Sequence, residues 1–308
     1  MRIVFMGTPE FALPSLRILM ENRYPIAGVV TVPDKPSGRG QQVTTSPVKD
    51  FALQNGLNLF QPESLKDPAF IGTLQSLEPD VFVVVAFRIL PVALITIPKI
   101  GAFNLHASLL PKYRGAAPIN WAIIKGERES GVTTFFLQEK VDTGNIILQA
   151  RVPIGENETA GELHDRLAEV GAEIVLHTVR LIESGKAARK PQDDTLASPA
   201  PKILKEHCRI DWTKTAREVH DFVRGLSPRP GAYTFHHETM LKIHRTVRLD
   251  DAPASAAPGE ILHTGDRLIV SAGAGSVEIT EIQQEGKKKM IVPEFLRGYA
   301  ARVGETFQ

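Results

Sequence analysis

Residues 2–20 read RIVFMGTPEFALPSLRILM, and this stretch decides the fold. Arg2 to Met6 is an apolar run carrying β-branched residues, which suits a buried strand. Gly7-Thr8-Pro9 breaks the run. From Phe11 to Met20 the apolar residues return at helical spacing. Working outward, Ala27–Val32, Val81–Ala86 and Phe103–His106 are further strand candidates. VFVVVA at 81–86 is all apolar, as expected of a strand covered on both faces. Helical patterns intervene at Val48–Gln54, Phe70–Leu77 and Ala117–Lys125. Strands alternating with helices predict an α/β fold, a Rossmann-like, doubly wound, mostly parallel sheet. Val132–Leu137 and Ile146–Val152 extend it as a hairpin around Asp142-Thr143-Gly144. A long helix follows from about Ala160 to Ser184, with Thr159 and Glu162 spaced as a capping box.

The pattern changes near Gly185. Residues 189–207 are rich in proline and charge and read as a linker. A short helix at Thr215–Arg224 precedes strand candidates at Ala232–Phe235, Met240–Val247, Gly259–His263, Arg267–Ser271 and Ser276–Ile282. Short strands at such close spacing predict a small β-barrel of the OB-like kind. The expected division is a domain over 1–188, a linker over 189–207 and a second domain over 208–308.

Composition bounds the function. With 308 residues, 43% hydrophobic and 23% charged, the chain fits a two-domain globular protein, not a disordered or fibrous one. The single cysteine, Cys208, excludes an internal disulfide framework and a cysteine-based zinc cluster. No run approaches the roughly 18 apolar residues of a membrane span. MRIVFMGTPE carries no secretory signal pattern, so a cytoplasmic location without membrane contact is expected. The net charge is +1, with 20 basic and 21 acidic residues over 1–200 and 16 and 14 over 201–308. Neither half carries the basic bulk of a coating nucleic-acid binder.

Gly7-Thr8-Pro9 lacks the second and third glycines of a dinucleotide fingerprint, so a pyrophosphate site is not expected there. The chemistry concentrates in GAFNLHASLLPKYRGAAPI at 101–119. Asn104 and His106 stand two apart on a strand and therefore point to one face. An amide beside an imidazole can hydrogen-bond one developing oxyanion; a buried polar pair satisfied by backbone is the other reading. Asp142 sits in the turn that follows. A carboxylate near an imidazole fixes its tautomer, whereas an ordinary turn aspartate does nothing of the kind. His236-His237 shows no further ligands at metal spacing, and no metal is expected. Cys208 has nothing beside it that would make it a nucleophile.

These residues carry a resemblance. GTPEFA at 7–12, PDKPSGRG at 33–40, SPVK at 46–49, NLHASLLP at 104–111, YRGAAPI at 113–119, DTG at 142–144 and RIDW at 209–212 resemble the folate-dependent formyltransferase family over essentially the whole chain. The N-terminal motifs together with a C-terminal β domain resemble its tRNA-acting members. The resemblance implies transfer of a formyl group from 10-formyltetrahydrofolate, as co-substrate, to the α-amine of methionine on initiator methionyl-tRNA. It implies Asn104, His106 and Asp142 as catalytic residues, with direct amine attack and no covalent enzyme intermediate. The folate is expected along Phe87, Arg88, Ile89 and Leu90 and along Ser108, Leu109, Leu110 and Pro111. The 86–91 segment is one residue shorter than the family pattern and has Arg88 where a glycine is usual. The tRNA is expected on the 33–49 loop, through Lys35, Arg39 and Lys49 and through Gln41 and Gln42, which stand where relatives often carry lysines. The turn at Lys287, Lys288 and Lys289 is expected to add phosphate contacts. A monomer is expected. Small-molecule formyl transfer and formyltetrahydrofolate hydrolysis are the alternative reactions, and a non-catalytic tRNA- or folate-binding protein is the alternative class.

Overall fold

The computed structural model describes residues 1–37, 42–249 and 256–308. They form two compact units. The first comprises Met1–Gly115, Gly131–Val152 and His164–Pro199, and the second Ala116–Ser130, Pro153–Leu163 and Ala200–Gln308.

The first unit is built on seven strands: β1 (Ile3–Gly7), β2 (Ile26–Val30), β3 (Leu59–Phe60), β4 (Val81–Val85), β5 (Gly101–His106), β6 (Glu129–Phe136) and β7 (Ile146–Pro153). Their order in the sheet is β7-β6-β5-β4-β1-β2-β3. The pairs β2–β1, β1–β4 and β4–β5 run parallel, whereas β5–β6 is antiparallel. The doubly wound sheet expected from residues 2–20 is therefore present. β1 and β4 are buried at every position, which explains their unbroken apolar sequence. Helices α1 (Leu13–Glu21), α2 (Pro47–Gln54), α3 (Pro68–Ser76) and α4 (Val92–Ile95) belong to this unit, each opening with proline at or next to its first residue. Gly7 owes its place to close packing: a Cβ there would lie 2.7 Å from the Ala12 Cβ and 3.1 Å from the Val85 carbonyl oxygen.

Some boundaries differ from those expected. β4 stops at Val85 because Ala86 turns to a left-handed φ of 48°. β6 starts three residues earlier than its apolar run, at Glu129. Residues Lys35–Ser37 and Gln42–Thr44, expected to be part of a loop, pair as an antiparallel ribbon.

In the second unit, α5 (Pro118–Ile124) packs against α7 (Ala216–Leu226). Helix α6 (Ala160–Glu183), which starts at the expected Thr159–Glu162 capping box, belongs to the first unit from His164 onward. Thr215 and Glu218 repeat that device on α7. The sheet is antiparallel, ordered β8-β9-β12-β11-β10, with β8 (Ala232–His236), β9 (Thr239–Leu249), β10 (Ile261–His263), β11 (Leu268–Ser271) and β12 (Ser276–Gln284). Its curl is closed by the end of the chain. Phe235 and Gln308 exchange both backbone hydrogen bonds on one edge. Ile261 donates to Glu305, and Phe307 to Gly259, on the other. Phe307 fills the core beneath this seam and is 2% exposed. Gly259 is required there, because a Cβ would come within 2.3 Å of the Phe307 carbonyl oxygen.

His220 of α7 is buried. Its Nδ1 meets the Thr246 hydroxyl at 2.9 Å and its Nε2 the Glu156 carbonyl at 3.2 Å. Burial pushes its pKa down, aided by the Arg224 and Arg248 charges and opposed by the Glu156 hydrogen bond and Asp221. The unfolded chain takes up a proton near the usual imidazole value of about 6.5, and the folded chain resists it. Stability contributed at neutral pH is thus lost as pH falls below that value. The urea midpoint of the second unit should drop between pH 7.5 and 5.5, and drop less in His220→Gln. Removing the seam's anchor by Phe307→Ala should cost about 3–5 kcal/mol by urea titration.

Candidate active site

β5 ends in the site. Asn104 and His106 lie on one face of the strand, opposite Phe135 and Thr133 of β6. Leu105, between them, faces α6, where Gly171 gives it room: a Cβ there would lie 2.7 Å from Leu105. His106 is nearly buried, and its Nε2 lies 2.8 Å from the carbonyl oxygen of Tyr113. A carbonyl only accepts, so Nε2 carries the proton and Nδ1 is the nitrogen that gains or loses one. Nδ1 faces the Asp142 carboxylate at 3.8 Å. That carboxylate accepts from the Gly115 N–H at 2.9 Å. Asn104 is partly exposed, and its amide has no hydrogen-bond partner among the described residues.

The backbone is bent to make this arrangement. Ala86, Tyr113 and Asp142 all have left-handed φ values, 48°, 61° and 55°. Asparagine and aspartate tolerate that region, while alanine and tyrosine there represent strain, which collects at functional sites. Gly144 is sterically required, since a Cβ would fall 1.6 Å from the Phe136 carbonyl oxygen. The turn after β5 is pinned as well. Ser108 donates to the Lys112 carbonyl at 2.6 Å, and the Thr133 hydroxyl donates to the Ser108 carbonyl and accepts from the Leu110 N–H. Gln149 donates to the Leu110 carbonyl at 2.9 Å.

Two residues of the site escape a reading of the sequence. Gln192, within the stretch expected to be a linker, donates to the carbonyls of Asp142 and Gly144 at 2.9 and 2.8 Å. Arg114 binds the Gln192 amide oxygen and Asp194, both at 2.7 Å. Residues 192–194 therefore belong to the site's frame. No local pattern announces a contact that spans 50 residues of chain.

The expected folate residues fall into two groups. Leu90 and Leu110 are buried, Ser108 fully so, while Phe87, Leu109 and Pro111 are partly exposed. Ile89 is 72% exposed. Residues 63–66 and 88–91 line an open cavity of about 420 Å³. Arg88, which stands where a glycine is usual, is engaged by the chain itself. It donates to the Pro62 and Glu63 carbonyls at 2.8 and 3.1 Å and stacks over Phe87 at 5.3 Å. It thereby ties the shortened segment to the 62–63 loop.

The expected tRNA residues are spread apart. Lys49 forms a salt bridge with Asp34, which also accepts from Gln61; the Lys49 hydrogen bond holds the Asp34 carboxyl below the usual range. Lys35 and Gln42 stand on the short ribbon. Arg39 and Gln41 lie outside the described residues. Lys287, Lys288 and Lys289 form an exposed turn after β12, where Lys289 pairs with Glu281 at 2.7 Å. No helix among the described residues is long and apolar enough to cross a membrane.

Comparison with known proteins agrees with this geometry. Residues 1–179 match the formyl transferase family model, and residues 202–300 that of the formyl transferase C-terminal domain. The chain is 50% identical to a methionyl-tRNA formyltransferase of Chlorobium luteolum and 46% identical to one of Acetivibrio thermocellus, covering 99% of both chains in each case. Among solved structures, it matches the N-formyltransferase of Helicobacter canadensis in complex with folinic acid and dTDP-3-aminofucose, with a TM-score of 0.68 at 22% identity over 94% of this chain and 99% of that one. HypX of Aquifex aeolicus in complex with tetrahydrofolic acid gives 0.66 at 20% identity, covering 100% of this chain and 51% of that one. Full-length relatives, both family models in order, and an asparagine, histidine and aspartate gathered at one strand end place this chain in the formyl transferase family.

Proposed function

We propose that the chain formylates the α-amine of methionine on initiator methionyl-tRNA with 10-formyltetrahydrofolate, and that Asn104, His106 and Asp142 carry the chemistry. The supporting observation is the convergence of these three side chains: His106 lies 3.8 Å from Asp142, on the strand face it shares with an unpartnered Asn104. The full-length relatives that bear the methionyl-tRNA name favour this acceptor over a small molecule. Two fold neighbours whose structures hold folates favour the co-substrate.

The amine nitrogen attacks the formyl carbon, and the carbonyl oxygen becomes an oxyanion. Asn104 and the Nδ1–H of protonated His106 donate to it. One such donor contributes about 2.7–4 kcal/mol to the transition state. Asp142 stabilises the imidazolium and accepts the proton that the amine loses. The C–N10 bond then breaks, and N10 leaves with a proton. Net, one proton passes from the amine to the folate, so no covalent enzyme intermediate is needed. The folate lies along Phe87–Leu90 and Ser108–Pro111. Residues 1–188 supply the chemistry and 208–308 bind tRNA, and Lys35, Arg39, Gln41, Gln42 and Lys49 of the first span join Lys287–Lys289 of the second toward its phosphates. Among the described side chains of that set, Lys49 and Lys289 already face carboxylates, whereas Lys287 and Lys288 stand on an exposed turn.

The deciding assay offers methionyl initiator tRNA, uncharged tRNA and glycinamide ribonucleotide in parallel with 10-formyltetrahydrofolate. Formylation of the first alone is expected; formylation of the ribonucleotide contradicts the proposal. Asn104→Ala should lower kcat by about 10²–10³-fold. Gly144→Ala leaves the Asp142 side chain unchanged but dislodges its turn, and should also lower kcat. Unchanged turnover in either variant removes that group from the mechanism. Lys287→Ala with Lys288→Ala should flatten the slope of log affinity for tRNA against log salt by about one for each phosphate that is no longer neutralised.

A further inference from the structure

The seam that closes the second unit's sheet holds a cluster that formyl transfer does not use. His236 ends β8, and His237 follows it in the turn to β9, with a left-handed φ of 53°. Glu305, distant in sequence, sits on the closing strand segment. His236 Nε2 lies 3.1 Å from one Glu305 carboxylate oxygen, and His237 Nε2 lies 3.8 Å from the other. One ligating atom from each of the three residues falls within 4.8 Å of the others. The sequence shows no third ligand for the histidine pair, because that ligand is 69 residues away in the chain.

Three features suit a metal ion. First, two imidazoles and one carboxylate are the donor set of open, three-ligand sites for borderline divalent ions such as zinc. Bonds of about 2.0–2.2 Å in a tetrahedral array put ligand atoms about 3.3–3.5 Å apart. The ligand atoms stand within 4.8 Å of one another, so small side-chain rotations, chiefly of the exposed His237, bring them to that spacing. Second, the ligands are oriented from behind. His236 Nδ1 meets the Tyr299 hydroxyl at 2.9 Å, which leaves Nε2 to face the site. The Arg302 N–H donates to Glu305 at 2.8 Å. Metal-bound histidines characteristically have such a partner on the other ring nitrogen. Third, the cluster joins protein support to access: the side chain of His236 is 1% exposed, and that of His237 71%. A buried anchor with one exposed ligand lets an ion enter from solvent.

We infer that His236, His237 and Glu305 form a binding site for a divalent transition ion of the zinc class, which staples the chain end to the β8–β9 turn. Water completes the coordination. Binding replaces the His236–Glu305 hydrogen bond with two metal–ligand bonds, and it cross-links both sides of the seam. The ion stabilises the second unit and takes no part in formyl transfer.

The test uses the full chain, stripped of metal and dialysed against zinc chloride, with bound zinc measured by elemental analysis. One ion per chain is expected. His237→Ala changes an exposed residue, and Glu305→Gln keeps the Arg302 contact, so both variants should fold. Each should weaken zinc binding by at least about tenfold. A melting temperature that rises with zinc in the parent, but not in His237→Ala, gives a second readout. No stoichiometric zinc, or equal affinity in parent and both variants, overturns the site.

Discussion

The candidate active site depends on one hydrogen bond whose direction is fixed. His106 Nε2 stands 2.8 Å from the Tyr113 carbonyl oxygen, and only the imidazole can donate. That commits one ring nitrogen and leaves Nδ1, toward Asp142, as the group that can change its proton. Much of the surrounding structure serves to hold Tyr113 and Asp142 where this works. Tyr113 takes a strained left-handed backbone and is anchored through its N–H to the Ser198 hydroxyl at 2.9 Å. Asp142 is gripped from three directions: its carboxylate by the Gly115 N–H, its carbonyl by Gln192, and its turn by Gly144 pressed against Phe136.

Most of the fold is legible in residues 2–20 and in the all-apolar run at 81–86, because strands buried on both faces leave no room for polar positions. The candidate catalytic residues are legible too, since Asn104 and His106 two apart on a strand share a face by geometry alone. What stays hidden is long-range. Nothing local shows that Asp142 meets His106, that Gln192 in a proline-rich stretch holds the Asp142 turn, or that Glu305 joins the histidine pair. Arg88 makes the same point from the other side. It stands in the segment expected to line the folate, yet two backbone carbonyls and a phenyl ring engage it.

The near-neutral charge acquires a structural reading as well. Carboxylates answer several of the basic residues assigned to nucleic acid: Lys49 faces Asp34, and Lys289 faces Glu281. Among the described residues, Lys287 and Lys288 remain as exposed cations of that set, which suits an enzyme that holds a single tRNA end.

The orientation of His106 is the claim on which the proposed chemistry turns, and nitrogen NMR of the imidazole tests it directly. With nitrogen-15 histidine, and with assignment by His106→Gln, the neutral ring should show the Nε2–H tautomer. On acidification, the proton should arrive at Nδ1. A neutral ring protonated at Nδ1 would contradict the account, because Nε2 would then have no proton to donate to the Tyr113 carbonyl.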